Sequence, residues 1–163
     1  MDFKLSNEQQ MIQETARSFA QKELAPVAQK LDREKDHAIL VANVKKLAQL
    51  GFMGLNVPEA YGGAHAGAVA LSLALTEIGK VCASTAVTMS VTNMVAELLV
   101  EFGTESQKQK YLPGLMSGEH VAGSFCLTES SAGSDPTGMK TTAVPCDGGY
   151  VINGSKLFIT SAE

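Results

Sequence analysis

The sequence has few cysteines and histidines, and none of them has the spacing of a metal-binding or nucleophilic site. Three cysteines are an odd number for a disulfide framework, and the three histidines have no partner at a ligand spacing. These residues are Cys82, Cys126, Cys146, His37, His65 and His120. We therefore predict reduced thiols and no bound metal, and we find neither a Ser-His-Asp set nor a phosphate loop.

Strong charge and uninterrupted apolar segments are also missing. With 13 Lys and Arg against 17 Asp and Glu, the net charge is −4, which gives no basic surface for nucleic acid. The two longest apolar stretches, 64–75 and 81–100, contain polar residues and are not clean runs of about 18 apolar residues. The first residues lack the basic and apolar segments of a signal peptide. We expect a cytoplasmic protein with no membrane span.

The first two thirds of the sequence are typical of helices. Ser6 and Thr104 are each followed by a Gln three residues later, which predicts a capping box at the start of a helix. Apolar residues after Ser6 recur close to a 3.6-residue period. Pro26 is expected to interrupt or kink the first of these helices, and Pro113 to bend or divide the other.

More helices are predicted in the middle of the chain. One runs through 40–50, with Gly51 as its left-handed cap, and a structured loop follows over 52–63. Two further helices, 66–82 and 84–102, are apolar on nearly all sides. Such helices are expected in the interior of a domain.

From residue 121 onward the pattern changes to short strands separated by Gly, Ser, Asp or Asn. The predicted strands are 121–127, 139–145, 150–153 and 156–160. Asp147-Gly148 and Asn153-Gly154 predict hairpin turns, because glycine supplies positive φ. We therefore predict an α+β protein, with an all-α helical bundle over 1–119 and the opening strands of an incomplete β-barrel domain over 120–163.

The segment from Phe125 to Asp135 is the best candidate for a binding site. A flavin needs hydrogen bonds at its pyrimidine edge, a donor near N5 and an apolar wall, and FAD also needs a site for its pyrophosphate. Thr128 offers a hydroxyl and a backbone N–H, and the small residues of 130–134 let backbone N–H groups approach an anion. From these residues alone, a surface turn between two strands is the favoured alternative.

Four sequence motifs, one of them in this segment, occur in an order and at a spacing that resemble those of a known protein family. They are Val57-Pro58-Glu59-Ala60-Tyr61-Gly62-Gly63; Phe102-Gly103-Thr104-Glu105-Ser106-Gln107-Lys108 with Lys110-Tyr111-Leu112-Pro113; Leu127-Thr128-Glu129 with Ala132-Gly133-Ser134-Asp135; and Ile152-Asn153-Gly154-Ser155-Lys156 with Phe158-Ile159-Thr160. Each motif alone is weak, but the four together are specific. Over its whole length the chain resembles the acyl-CoA dehydrogenases, with their N-terminal helical domain and the start of their middle β domain.

The resemblance implies FAD as cofactor and assigns roles to single residues. Thr128 would hydrogen-bond the pyrimidine edge, Ser134 would lie at the pyrophosphate and the CoA thioester, and Thr160 would donate toward N5. Phe158 stands where the family has an aromatic residue, often Trp, against the flavin, and this sequence has no Trp. The implied cofactor-binding residues are Phe125, Cys126, Leu127, Thr128, Gly133, Ser134, Phe158, Ile159 and Thr160.

A substrate site is implied as well. The helical segment 86–94 is similar to the one that lines the acyl pocket in the family, so Thr88 and Val91, together with Ser134, are the implied substrate-binding residues. Simple helix packing is the alternative for the two residues on the helix. Glu129 is expected to hold its turn by accepting backbone N–H bonds.

The implied activity is oxidation of an acyl-CoA thioester to the trans-2-enoyl-CoA in fatty acid metabolism. The family's catalytic base is a glutamate in a C-terminal helical domain, and no residue here matches it, so we assign no catalytic residue. We expect a truncated form of a longer enzyme, which by itself lacks turnover and holds FAD weakly, if at all. The implied partners are an acyl-CoA substrate and an electron-transfer flavoprotein-type acceptor, in a homotetrameric parent enzyme.

Other functions are compatible with the same residues. A non-catalytic helical module for binding or assembly is one alternative. An acyl-CoA oxidase, a flavin monooxygenase or an enoyl-CoA reductase on the same fold is another.

Overall fold

In the computed structural model, which describes residues 3–162, the chain folds into two units that divide between Gly123 and Ser124. The division lies beyond Glu119 for a physical reason. Val121 packs against the core of the helical unit, and the Gly123 N–H donates to Thr92 Oγ1 at 3.1 Å. These contacts keep the residues up to Gly123 with the helices.

The first unit is built from helices. They are α1 Asn7–Phe19, α2 Ala25–Glu34, α3 His37–Gln49, α4 Gly67–Gly79, α5 Ala83–Phe102 and α6 Glu105–Ser117. A π-helical turn over Ala20–Leu24 joins α1 to α2, and 3-10 turns at Phe52–Gly54 and Glu59–Tyr61 lie between α3 and α4. The predicted helical bundle is confirmed.

The predicted helix ends are largely confirmed. Ser6 and Thr104 both form capping boxes, and Gly51 follows α3 in the left-handed conformation at φ 76°. Pro26 lies at the start of α2, directly after the π-helical turn, and the chain stays helical on both sides of it. The predicted interruption therefore takes the form of a π-helical turn rather than a helix end. Pro113 does not divide α6, because the buried residues next to it keep the helix on the core.

The expectation of fully interior helices is wrong for both α4 and α5, because α4 buries only Ala70, Ala74, Glu77 and Ile78. Helix α5 too is buried on one face rather than on nearly all sides. The buried residues are Thr85, Thr88, Met89, Thr92, Asn93 and Ala96. On other faces Val87, Met94 and Phe102 are 48%, 39% and 78% exposed. By length and composition alone α5 could cross a membrane, a property that the core helices of bundles share.

A buried asparagine on α5 fixes the loop after α3. Asn93 has no exposed surface, and its side chain bonds three backbone groups. Oδ1 accepts from the Leu55 N–H at 2.9 Å, while Nδ2 donates to the carbonyls of Phe52 at 2.9 Å and Met89 at 3.0 Å. The loop over 52–57 therefore takes part of its backbone hydrogen bonding from α5.

Helices α1 and α4 are joined by an ion-pair cluster around Glu77. The Glu77 carboxylate accepts from Arg17 Nη2 at 3.1 Å and Nε at 3.2 Å, and from Lys80 Nζ at 3.0 Å. Its side chain is only 4% exposed. The Arg17 guanidinium first, and then the Lys80 ammonium, lower the pKa of Glu77 from 4.5 to about 2.

This pKa predicts a pH dependence of stability. Because the folded-state pKa is lowered, the stabilisation by Glu77 is present above about pH 4.5 and is lost as the pH falls toward 2. In urea titrations followed by helical circular dichroism, Glu77→Gln should unfold more easily than the wild type above pH 4.5, and the difference should shrink toward pH 2. Glu34→Gln, at a 61%-exposed position, is the control. A difference that stays constant over this pH range would contradict the assignment.

The second unit contains an antiparallel hairpin of β1 Thr142–Cys146 and β2 Gly149–Asn153. Its register pairs Thr142 with Asn153 and Cys146 with Gly149. The turn is Asp147-Gly148, with Gly148 at φ 78°, as predicted. The α+β fold class, with the helical part first, is confirmed.

Three strand predictions and one turn prediction for residues 121–160 need correction. Within residues 3–162, the segments 121–127 and 156–160 form no ladder, and Asn153-Gly154 makes no second hairpin. The strand expected from 139 begins only at Thr142, because the Glu129 carboxylate takes the N–H groups of Lys140 and Thr141. A buried carboxylate thus replaces a neighbouring strand as the acceptor of these hydrogen bonds.

Candidate functional site

Glu129 lies at the centre of the second unit, with its side chain 5% exposed. Its carboxylate accepts from the Lys140 N–H at 2.6 Å, the Thr141 N–H at 3.0 Å and Lys156 Nζ at 2.8 Å. Its own N–H donates to the Ala132 carbonyl at 2.9 Å, and its carbonyl accepts from the Ala132 N–H at 3.1 Å. The expectation that Glu129 holds its turn by accepting backbone N–H bonds is confirmed.

The Lys156 ammonium is the largest cause of a strong shift at Glu129. Together with the donors of Thr141 and Lys140, it lowers the pKa of Glu129 from 4.5 to about 2. The carboxylate is therefore charged and fully engaged at neutral pH. Such a group suits a structural role better than general-base work.

Lys156 is the residue that sequence reasoning missed. Its Nζ donates to the Leu127 carbonyl at 2.8 Å as well as to Glu129. Its side chain is 21% exposed. The available signal was its place in the motif Ile152 to Lys156, but no local pattern indicates which residue a lysine pairs with.

The structure brings residues 127–128 of one predicted cofactor segment to residues 156–157 at the start of the other. The Leu157 N–H donates to the Thr128 carbonyl at 2.8 Å, next to the bond between Lys156 and Leu127. Thr128 and Leu127 are half-buried, whereas Phe125 and Cys126 are exposed. The two stretches are thus adjacent even though they form no ladder.

Phe158 presents its ring to solvent from an unusual backbone conformation. It has φ 55°, in the left-handed region that a bulky residue rarely adopts, and it is 93% exposed. Ile159 and Thr160, directly after it, are half-buried. A flat, exposed apolar ring suits stacking against a planar ligand that has an apolar face.

The loop after Glu129 is ordered by its own hydrogen bonds. Ala132 is buried, and Asp135 Oδ1 accepts from the Thr137 N–H at 3.0 Å and the Thr137 hydroxyl at 2.7 Å. Gly133 and Ser134 are exposed between these two anchored points. Ser134 can therefore reach a ligand without breaking the loop.

The two implied substrate-binding residues of α5 belong to the first unit. Thr88 is 4% exposed, and its hydroxyl donates to the Ser84 carbonyl at 3.1 Å, one turn earlier in the same helix. Val91 is half-buried. The Thr88 hydroxyl is thus already engaged, and in this structure its side chain packs as part of the helical core.

Comparison with known proteins adds a second line of observation. The family described as acyl-CoA dehydrogenase, N-terminal domain, matches residues 6–119, and the middle domain of the same family matches residues 124–163. These two matches cover the helical unit and the unit that contains Glu129.

Single relatives agree with these matches. The chain is 41% identical over 162 residues to acryloyl-CoA reductase (NADH) of Anaerotignum propionicum, covering 98% of this chain and 40% of the relative. It is 43% identical over 162 residues to a short-chain-specific acyl-CoA dehydrogenase of Clostridium acetobutylicum, covering 99% and 42%. The chain therefore spans about two fifths of the length of these curated relatives.

A solved structure shares the fold. The acyl-CoA dehydrogenase complexed with FAD from Bacillus anthracis superimposes with a TM-score of 0.86 at 34% identity. The match covers 96% of this chain and 27% of that chain.

Proposed function

Because this chain belongs to the acyl-CoA dehydrogenase family, we propose that it binds FAD and serves the α,β-dehydrogenation of an acyl-CoA thioester to the trans-2-enoyl-CoA. The observation that carries this proposal is the hydrogen-bonded pairing of 127–128 with 156–157 beside the exposed Phe158 ring. A flavin has the matching chemistry, with a planar apolar face and a hydrogen-bonding edge.

The chain's own residues would hold the cofactor in distinct ways. Thr128 would bond the pyrimidine edge, and Thr160 would donate toward N5. The Phe158 ring, which is 93% exposed, would pack on the flavin. Exposed Gly133 and Ser134 would admit the pyrophosphate, where small residues allow backbone N–H groups to approach closely.

FAD, when bound, would supply the two-electron acceptor for the hydrogen that leaves the β carbon. The residues of this chain would orient the cofactor. We assign no residue of the chain as the base that removes the α-proton. Ser134 remains the proposed contact to the thioester, and Val91 the proposed contact to the acyl group. Thr88 is 4% exposed and packs in the helical core, so we do not retain it as a contact.

The partners follow from the same family membership. We propose an acyl-CoA substrate, an electron-transfer flavoprotein-type acceptor and a homotetrameric assembly for the complete enzyme. A cytoplasmic location is proposed on the sequence pattern alone.

The reverse direction is the second candidate function. A relative named acryloyl-CoA reductase (NADH) is 41% identical to the chain, which supports reduction of a short enoyl-CoA. In the complete enzyme, flavin reduction by a saturated acyl-CoA would favour the dehydrogenase. Reoxidation of the reduced flavin by an enoyl-CoA, without reduction by the saturated thioester, would favour the reductase.

The flavin site is tested by titrating the chain with FAD and following flavin fluorescence and visible absorption. We expect weak but saturable binding, and a further loss on the order of tenfold in affinity for Phe158→Ala, because one stacking surface is removed. Since Phe158 is 93% exposed, this substitution should leave the free energy of unfolding unchanged.

Phe102→Ala is the matched control, an exposed phenylalanine of the first unit. It should bind FAD as the wild type does. A wild-type chain that does not bind FAD would contradict the proposed function. Equal affinity of wild type and Phe158→Ala would contradict the role of Phe158 alone.

A further inference from the structure

An ion pair between buried Glu129 and half-buried Lys156 lies where the two proposed cofactor segments meet, and neither residue contacts the cofactor in the roles proposed above. Lys156 Nζ lies 2.8 Å from Glu129 Oε1 and 2.8 Å from the Leu127 carbonyl oxygen. Glu129 is in turn bonded to the backbone N–H groups of Lys140 and Thr141 at 2.6 and 3.0 Å. One pair thus ties together three stretches of chain that are distant in sequence.

We propose that Glu129 and Lys156 are positioning residues, which hold the segments 125–128 and 156–160 in the arrangement that the flavin requires. This inference rests on the proposed function. It assigns the pair no contact with the cofactor or the substrate.

Both residues of the ion pair are close in sequence to residues that we propose contact the flavin. Glu129 follows Thr128 directly, and Lys156 precedes Phe158 by two residues. The Leu157 N–H, which donates to the Thr128 carbonyl at 2.8 Å, lies next to the ammonium group. A shift of Lys156 would therefore displace Thr128 and Phe158 together.

Because no β-ladder joins the two segments, their arrangement depends on the ion pair of Glu129 and Lys156. Segments of a sheet are held in register by a row of backbone bonds, but 125–128 and 156–160 lie outside β1 and β2. Their link consists of the Leu157–Thr128 bond and the bonds of Lys156. Removing one member of a buried pair also leaves the other charge without its partner.

The main test uses the variant Lys156→Met, which keeps the length of the side chain and removes the ammonium. Lys156→Arg retains the charge and the donors, and Glu129→Gln removes the opposite charge at nearly constant shape. The matched control is Lys46→Met, which breaks a 2.6 Å ion pair with Glu23 in the helical unit.

The first readout is amide hydrogen exchange without flavin. In Lys156→Met we expect exchange at least on the order of tenfold faster at the N–H groups of Leu157, Lys140 and Thr141. The amides of the β1–β2 ladder should change less, which shows that the unit stays folded. If the ladder is lost as well, Glu129→Gln provides the same comparison with a milder change.

The second readout is FAD affinity at a temperature where every variant has the wild-type circular dichroism. Lys156→Met should bind FAD on the order of tenfold more weakly and with an altered visible circular dichroism of the flavin. Lys156→Arg should recover most of the affinity, and Lys46→Met should match the wild type.

The outcomes separate this inference from the proposed function. Unchanged exchange at Leu157, Lys140 and Thr141 in Lys156→Met overturns the inference, as does faster exchange with unchanged FAD affinity. A wild-type chain that does not bind FAD overturns the proposed function, and the exchange readout then still decides whether the pair holds the two segments together.

Discussion

Replacing Asn93 with leucine is expected to destabilise the helical unit by roughly 3 kcal/mol, because buried backbone groups lose their partners. Asn93 Oδ1 accepts from the Leu55 N–H at 2.9 Å, and Nδ2 donates to the Phe52 carbonyl at 2.9 Å. Leucine has a similar volume but can replace neither bond. The groups left behind are in a buried part of the loop, since Phe52 and Leu55 are each 2% exposed.

The free energy of unfolding from urea titration, followed by helical circular dichroism, checks this prediction. Thr88→Val is the matched control on the same helix, also a buried polar residue changed to an apolar one. The Thr88 hydroxyl donates only to the Ser84 carbonyl within α5, so the control should cost less than about 1 kcal/mol. Equal decreases in the free energy of unfolding for the two variants would show that the Asn93 hydrogen bonds do not hold the loop in place.

A second large effect is expected from Gly63→Ala in the same loop. An added Cβ would overlap the Val57 carbonyl and come within contact of its side chain. Val57 has no exposed surface, and its carbonyl accepts from the His65 N–H at 3.0 Å. The Val57 backbone can move away from the added Cβ only by losing its hydrogen bond with His65. We therefore expect the free energy of unfolding to fall by roughly 2–3 kcal/mol.

Gly79→Ala, at the end of α4, is the control for this substitution. There the added Cβ would lie 3.7 Å from the Ala86 Cβ, an ordinary contact. Alanine is also the better helix former by up to about 1 kcal/mol. The same urea titration should therefore find Gly79→Ala neutral or stabilising, and a neutral result for Gly63→Ala would contradict the close packing of the loop.

The helical unit could be predicted from sequence because its signals are local. A capping box needs a Ser or Thr and a Gln three residues later, and both Ser6 and Thr104 meet this condition. Which face of α5 is buried could not be predicted in the same way. An apolar residue such as Met94 can face the core or solvent, and only the packing of neighbouring elements decides between the two.

The second unit was harder because its hydrogen bonds are not those of a sheet. Apolar residues around 121–127 and 156–160 match a strand pattern, but the acceptors that organise them are the Glu129 side chain and single carbonyls. The pairing of Glu129 with Lys156 joins residues 27 positions apart, which no short-range pattern encodes. The hairpin at Asp147-Gly148 was predictable because two residues determine it.

The sequence identified the proposed flavin-binding residues by their motif positions, but not the exposure of each side chain. Motif positions alone indicated Thr128, Ser134 and Thr160, and their use by a cofactor stays a prediction. The exposure of the Phe158 ring, at 93%, was not readable from the sequence, because an aromatic between Leu157 and Ile159 is equally compatible with a buried strand. Glu129 was correctly interpreted as a structural residue because its turn offers backbone donors.

Hydrogen exchange of the wild-type chain with and without saturating FAD tests the central claim most directly. We predict that FAD slows exchange at backbone amides within 125–134 and 156–160, and leaves the amides of α1–α3 unchanged. Protection confined to the helical unit, or no protection anywhere at saturation, would contradict the assignment of the flavin site to these segments.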